Sequence, residues 1–112
     1  MWIICAIAAN PMTNYTNPTH NLAALLALIQ QGQYKTTKVA RLGATSLRLT
    51  HDQMIDVVLD LPNTGHFYKT MESDMNPGLW MDVYHTKTPA GDEVYLKLMI
   101  QNGVLIVSFK EL

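Results

Sequence analysis

The apolar positions of the chain change their period near Gly65, from a helical spacing before it to strict alternation after it. Leu22, Leu25, Leu26 and Ile29 fall on one face of a helix expected over His20–Gln31, with Asn21 or Thr19 as cap and Gly32 as stop. A weaker helix is expected over Thr36–Leu47, where Val39, Ala40 and Leu42 are apolar and Gly43 interrupts. Thr50–Leu61 reads more strongly. Thr50 and Gln53 have the spacing of a capping box, and Asp52 suits the positive end of the helix dipole. Met54, Val57, Val58 and Leu61 form its apolar stripe, and Pro62 ends it because it has no amide to donate. Beyond Gly65, four alternating stretches predict strands: His66–Glu72, Leu79–Thr86, Glu93–Gln101 and Val104–Glu111. Turn-forming residues separate them at Met75-Asn76-Pro77-Gly78, Pro89-Ala90-Gly91-Asp92 and Asn102-Gly103. Helices followed by an antiparallel meander predict an α+β domain, the helices packed on the sheet.

The last hairpin is the most informative. Asn102-Gly103 suits a type I′ turn, which needs positive φ at both central residues. A two-residue loop sets Gln101 opposite Val104, and therefore Leu96 opposite Phe109 and Tyr95 opposite Lys110. Alternation then sends Val94, Leu96, Leu98, Ile100, Leu105, Val107 and Phe109 to the core face. Tyr95, Lys97, Met99, Gln101, Ser108 and Lys110 take the other face. There a phenol stands beside one ammonium and diagonally near another, with about 5 Å between opposed Cβ atoms. Nearby cations favour the phenolate and are expected to lower a pKa that is ordinarily about 10. Such a group can bind a phosphate and move a proton. The same pattern also describes an ordinary solvated strand pair.

Composition narrows the class. A chain of 112 residues suits one domain, and 48% hydrophobic residues can fill one core. The single cysteine, Cys5, excludes an intramolecular disulfide and a finger-type zinc site, and suits a reducing cytoplasm. No apolar run approaches the about 20 residues a membrane helix needs, so no membrane partner is expected. The net charge of −1 argues against nucleic acid, but its distribution qualifies that. Residues 1–51 carry Lys35, Lys38, Arg41 and Arg48 and no acid, whereas residues 52–112 carry nine acids against four lysines. The basic half offers either a phosphate-facing patch or merely solvated helix positions. At the amino end, MWIICAIAA over Met1–Ala9 lacks the positive start of a secretory signal. Two readings compete for it: an extra element packed on the domain, or a start truly at Met12. Residues 1–17 are accordingly read as an amino-terminal extension and 18–112 as the domain. His20, His51 and His66 lack metal-ligand spacing and read as surface or capping residues.

Four motifs then carry a resemblance. FYKTM at Phe67–Met71, WMDVY at Trp80–Tyr84, VYLKL at Val94–Leu98 and VLIVSFKEL at Val104–Leu112 closely resemble the motility quorum-sensing regulator (MqsR) family. Weaker similarity covers Pro18 to Ala40 and runs on through Leu61. The resemblance implies a type II toxin of RelE-like, microbial-ribonuclease architecture that cuts messenger RNA at GCU-like sites without a metal or other cofactor. It also implies a zinc-containing, DNA-binding antitoxin as partner, single-stranded mRNA as substrate and a cytoplasmic location. By the same resemblance Lys69 of FYK, Tyr95 of VYLK and Lys110 of SFKE are the expected catalytic residues, and the hairpin argument adds Lys97 as a supporting candidate. The family's glutamine before DVY is replaced here by Met81, whose thioether donates no hydrogen bond. His85, four residues along the same strand and on the same face, is a candidate acid or base in its stead. Trp80, Tyr84 and Tyr68 are candidate stacking partners for unpaired bases, with the core as the alternative home for Trp80. Met81 also supports a rival reading: a weakened or ribosome-dependent homologue that acts mainly by binding its antitoxin and affecting operon regulation.

Overall fold

The computed structural model describes residues 17–112. The expectations for Met1–Ala9 and for a start at Met12 lie outside the described residues. Among the described residues three helices come first: α1 (Leu22–Gln30), α2 (Lys38–Ser46) and α3 (His51–Leu59), with a short strand β1 (Tyr34–Thr36) between α1 and α2. A single turn, α4 (Leu61–Thr64), leads into β2 (His66–Glu72), β3 (Trp80–Lys87), β4 (Glu93–Ile100) and β5 (Val104–Glu111). Asn21, Thr37 and Thr50 cap α1, α2 and α3 by accepting a hydrogen bond from the amide of Ala24, Ala40 and Gln53 respectively. Thr50 and Gln53 form the full reciprocal capping box. Pro62 does end α3, and it opens the extra turn α4 near its first position, where a missing amide costs nothing.

The five strands lie in the order β1-β5-β4-β3-β2. The α+β class expected from the sequence holds. The meander is antiparallel throughout, but β1 adds a parallel edge on β5, so the sheet is mixed. Three residues between two helices carry too little alternation to be read as a strand. β1 is recruited by tertiary hydrogen bonds, among them Val104 N–H to Gln33 C=O and Thr37 N–H to Ile106 C=O.

The helices cover one face of the sheet. Leu25, Ile29, Met54, Val58 and Leu61 pack there against Tyr84, Leu96, Leu98, Ile106 and Phe109. α2 reaches that layer through Ala40, Gly43 and Ala44, leaving Val39 and Leu42 exposed. Gly43 is required: a Cβ there would lie 1.6 Å from the carbonyl oxygen of Phe109. Ahead of α1, the buried Asp82 carboxylate accepts the amides of Thr19 (2.9 Å) and His20 (2.7 Å). Thr19 Oγ1 also meets Thr70 Oγ1 at 2.7 Å, and His20 Nε2 donates to the carbonyl of Trp80 at 2.8 Å. His20 and His51 are thus structural, the latter joined to the Tyr34 hydroxyl at 2.9 Å. No helix among the described residues is long and apolar enough to cross a membrane.

Two expectations for the last hairpin are corrected. Asn102 and Gly103 do adopt positive φ (53° and 101°), but the loop holds three residues, so Val104 faces Ile100 and not Gln101. Gln101 lies in the turn, where its amide bonds Gly103 C=O. The longer loop reverses the start of β5: Val104 and Ile106 enter the core, and Leu105 and Val107, expected there, are only half-buried. A bulge then restores the phase. Leu98 pairs with Ile106 but Lys97 pairs with Ser108, which skips Val107. Phe109 therefore returns to the core and Lys110 faces Tyr95 as expected.

Candidate active site

The sheet face opposite the helices collects the chemistry. Cross-strand register aligns His66, His85, Tyr95 and Lys110 in one row across β2, β3, β4 and β5. The next row holds Lys69, Val83, Lys97 and Ser108. Beyond it Met71 pairs with Met81, and Met99 pairs with Leu105, which is itself beside Lys35 of β1. Lys69, Lys97, Lys110 and Tyr95 are thus brought together. The Lys110 ammonium lies 5.0 Å and the Lys97 ammonium 5.8 Å from the centre of the Tyr95 ring.

Lys69 reaches this face only through a second bulge. Phe67 pairs with Tyr84 and Lys69 with Val83, leaving Tyr68 as the extra residue. Simple alternation from His66 would turn Lys69 towards the helices, and the inserted residue turns it back. Tyr68 itself stacks on His85, with ring centres 4.2 Å apart and planes inclined by 21°. His66 meets His85 edge-on at 5.5 Å, and His85 stands 6.2 Å from Tyr95. Of the aromatic candidates, Tyr68 is 54% exposed and available to a base. Trp80 and Tyr84 alternate onto the helix-covered face, and Tyr84, at 4% exposed, is a core residue and no stacking partner. Met81 shares the open face with His85 but is buried there at 6% exposed.

The electrostatics overturn one expectation. The Tyr95 phenol is pushed up, not down, by burial first and by Tyr68 second. The two lysines lie over and beside its ring, where the cation meets the π-cloud and leaves the ring partly desolvated. Lys97 carries the complementary change. Burial, then Lys110 and Lys69, hold its ammonium below the usual lysine range, with Asp74 opposing. His85 is likewise lowered, by burial and then by His66, against Glu93. Burial also drives the Tyr84 phenol up to about 12, with the nearby Asp82 charge adding to it. A separate groove of about 610 Å³ lies between the α2–α3 connection and the β3–β4 turn. It is lined in part by Asp56, Asp92 and Glu111 and by one cation, Arg48, so negative charge prevails where a phosphate needs positive charge.

Residues 17–111 match the family described as motility quorum-sensing regulator, toxin of MqsA. The chain belongs to the MqsR toxin family. Among relatives, it is 39% identical over 94 residues to the mRNA interferase toxin MqsR of Escherichia coli (strain K12), covering 84% of this chain and 94% of the relative. The family stretch begins at the first described residue and ends on the last strand, so it spans both bulges and every residue of the cluster. Sequence reasoning missed Tyr68 as the residue that re-aims Lys69. Nothing in FYK distinguishes a bulged tyrosine from a regular one.

Proposed function

We propose that this MqsR-family protein is an mRNA interferase that cuts single-stranded RNA on the open face of its sheet, without a metal. The observation that carries this is the gathering of Lys69, Lys97 and Lys110 from three strands onto the face that holds Tyr95, with Lys97 and Lys110 over its ring and Lys69 in the row of Lys97. RNA self-cleavage needs a base for the 2′-OH, positive charge for the phosphorane, and an acid for the leaving 5′-oxygen. Lys69 and Lys110 hold the non-bridging phosphate oxygens, so the ammonium groups supply the charge a metal ion would otherwise bring. Tyr95 exchanges the proton, and its raised pKa keeps the phenol protonated near neutrality. The products are a 2′,3′-cyclic phosphate and a 5′-hydroxyl. Tyr68, presented on His85, stacks an unpaired base, which requires the single-stranded form. The preference for GCU-like sites, the zinc-containing, DNA-binding antitoxin and the cytoplasmic setting follow from the family resemblance.

A second reading rests on Met81. Where the family has a glutamine, a buried thioether faces the site and offers no hydrogen bond to a base or phosphate. On that reading the protein is weakened, or acts only on ribosomes, and works chiefly through its antitoxin. Cleavage of an end-labelled, GCU-containing RNA in EDTA by the parent and by Lys110→Ala separates the two. Cutting by the parent alone, with a cyclic phosphate end, supports the free interferase. No cutting by either folded protein favours the second reading.

A further inference from the structure

We propose that Lys97 is the base that takes the 2′-OH proton, and that Tyr95 is the acid that protonates the leaving 5′-oxygen. This rests on the interferase reading and divides between two groups the proton transfers that one cluster must perform. The geometry carries it. In-line displacement places the attacking and leaving oxygens on opposite sides of phosphorus, so base and acid must bracket the phosphate. Tyr95 and Lys97 are two residues apart on β4 and point to the same face, a separation of about 7 Å along the strand. Lys110 pairs directly with Tyr95, and its ammonium lies over the same ring at 5.0 Å against 5.8 Å for Lys97, so what sets Lys97 apart is its place between Lys69 and Lys110.

Lys97 is also the central ammonium of the three. On β2 it is faced by Lys69, across Val83 of β3, with His66 and His85 in the adjoining row. On β5 it is faced by Ser108 and Lys110. Its own strand adds Tyr95 and Glu93, and Asp74 is the acid that acts on it. A half-buried amine held between two other ammonium groups gives up its proton more readily than an isolated one. Its lowered pKa and the raised pKa of Tyr95 are displaced in the directions that a base and an acid require.

The step balances. The Lys97 lone pair accepts the 2′-OH proton, the O2′–P bond forms, and the P–O5′ bond breaks. The 5′-oxygen takes the phenolic proton of Tyr95. An ammonium at Lys97 and a phenolate at Tyr95 remain, and proton exchange through water returns both to their starting forms.

A substrate with sulfur in place of the bridging 5′-oxygen tests the assignment, because a thiolate leaves without protonation. Lys97→Arg keeps the charge but cannot act as a base, and it should cut ordinary RNA at least about 100-fold more slowly with RNA affinity retained. Tyr95→Phe should be slow on ordinary RNA and recover on the sulfur substrate, whereas Lys97→Arg should not recover. Recovery of Lys97→Arg, or parental rates from it on ordinary RNA, would overturn the assignment. An independent arm uses Lys97→Cys in a Cys5→Ser background, alkylated to aminoethyl-cysteine, whose ammonium is more acidic than that of lysine. The acidic limb of the pH–rate profile should move to lower pH, and an unmoved limb would overturn the role of Lys97 as base. Failure of the parent on both substrates is a different result, and would overturn the interferase reading beneath it.

Discussion

Tyr95 keeps its ring under two lysines, and in the proposed mechanism only its hydroxyl moves a proton, so the two contributions separate on substitution. Tyr95→Phe is expected to lower single-turnover cleavage by at least about 100-fold while the dissociation constant for RNA stays near that of the parent. Lys69→Ala should instead weaken binding. Removal of one phosphate contact should reduce the slope of log affinity against log salt by about 0.7, read from a salt titration. Met81→Gln restores the family's residue but buries an amide among Met71 and its neighbours, with an expected cost of about 1–3 kcal/mol in urea denaturation. At this scale the sequence was legible where a motif marked a residue, whereas Tyr95 facing Lys110 was reached through a two-residue loop that the fold does not have, the extra loop residue and the bulge at Val107 offsetting each other. It was misleading for the Tyr95 pKa, because the distance between two lysines and a hydroxyl, and the water between them, depend on packing that no spacing encodes.

Helix ends show how one element design tolerates unequal residues. α1 and α2 both finish with the same pair of bonds: Gly32 N–H to Ile29 C=O and Gln33 N–H to Leu28 C=O in the first, Arg48 N–H to Thr45 C=O and Leu49 N–H to Ala44 C=O in the second. Each needs a left-handed residue after the cap, which is Gly32 at φ 77° but Arg48 at φ 63°. Arg48→Gly should therefore raise stability by about 1 kcal/mol, seen as a higher midpoint in thermal unfolding. Gly43→Ala should do the opposite, because the new methyl has no room beside Phe109 C=O. A loss of at least about 2 kcal/mol is expected. Periodicity found α1, α2, α3 and the four long strands to within two residues of their ends, since each buries a continuous stripe. It could not find β1, which has no stripe, or the bulges after Phe67 and Ile106, which interrupt the alternation that strand reasoning assumes.

Across the whole molecule the two faces of the sheet differ: one packs against the helices and the other carries the proposed site. Tyr84 belongs to the first. Its phenol is neutral in the folded state up to about 12, whereas an unfolded tyrosine ionises near about 10. A raised folded pKa means that its contribution is fully present below the unfolded value and is lost as pH climbs through that window. The loss amounts to about 2–3 kcal/mol. Tyr84→Phe should flatten the fall of stability between about pH 10 and about pH 12, measured by denaturation at fixed alkaline pH. The other face carries Tyr68, which is spare length in its strand. Deletion of Tyr68 would make Phe67 and Lys69 neighbours in a regular strand, with Phe67 still opposite Tyr84 and Lys69 still opposite Val83. What would vanish is the ring stacked on His85 and nothing of the aim of Lys69. The bulge is thus a slack loop in a woven edge: it lets one exposed aromatic ring be added, exchanged or dropped without the rest of the weave having to shift.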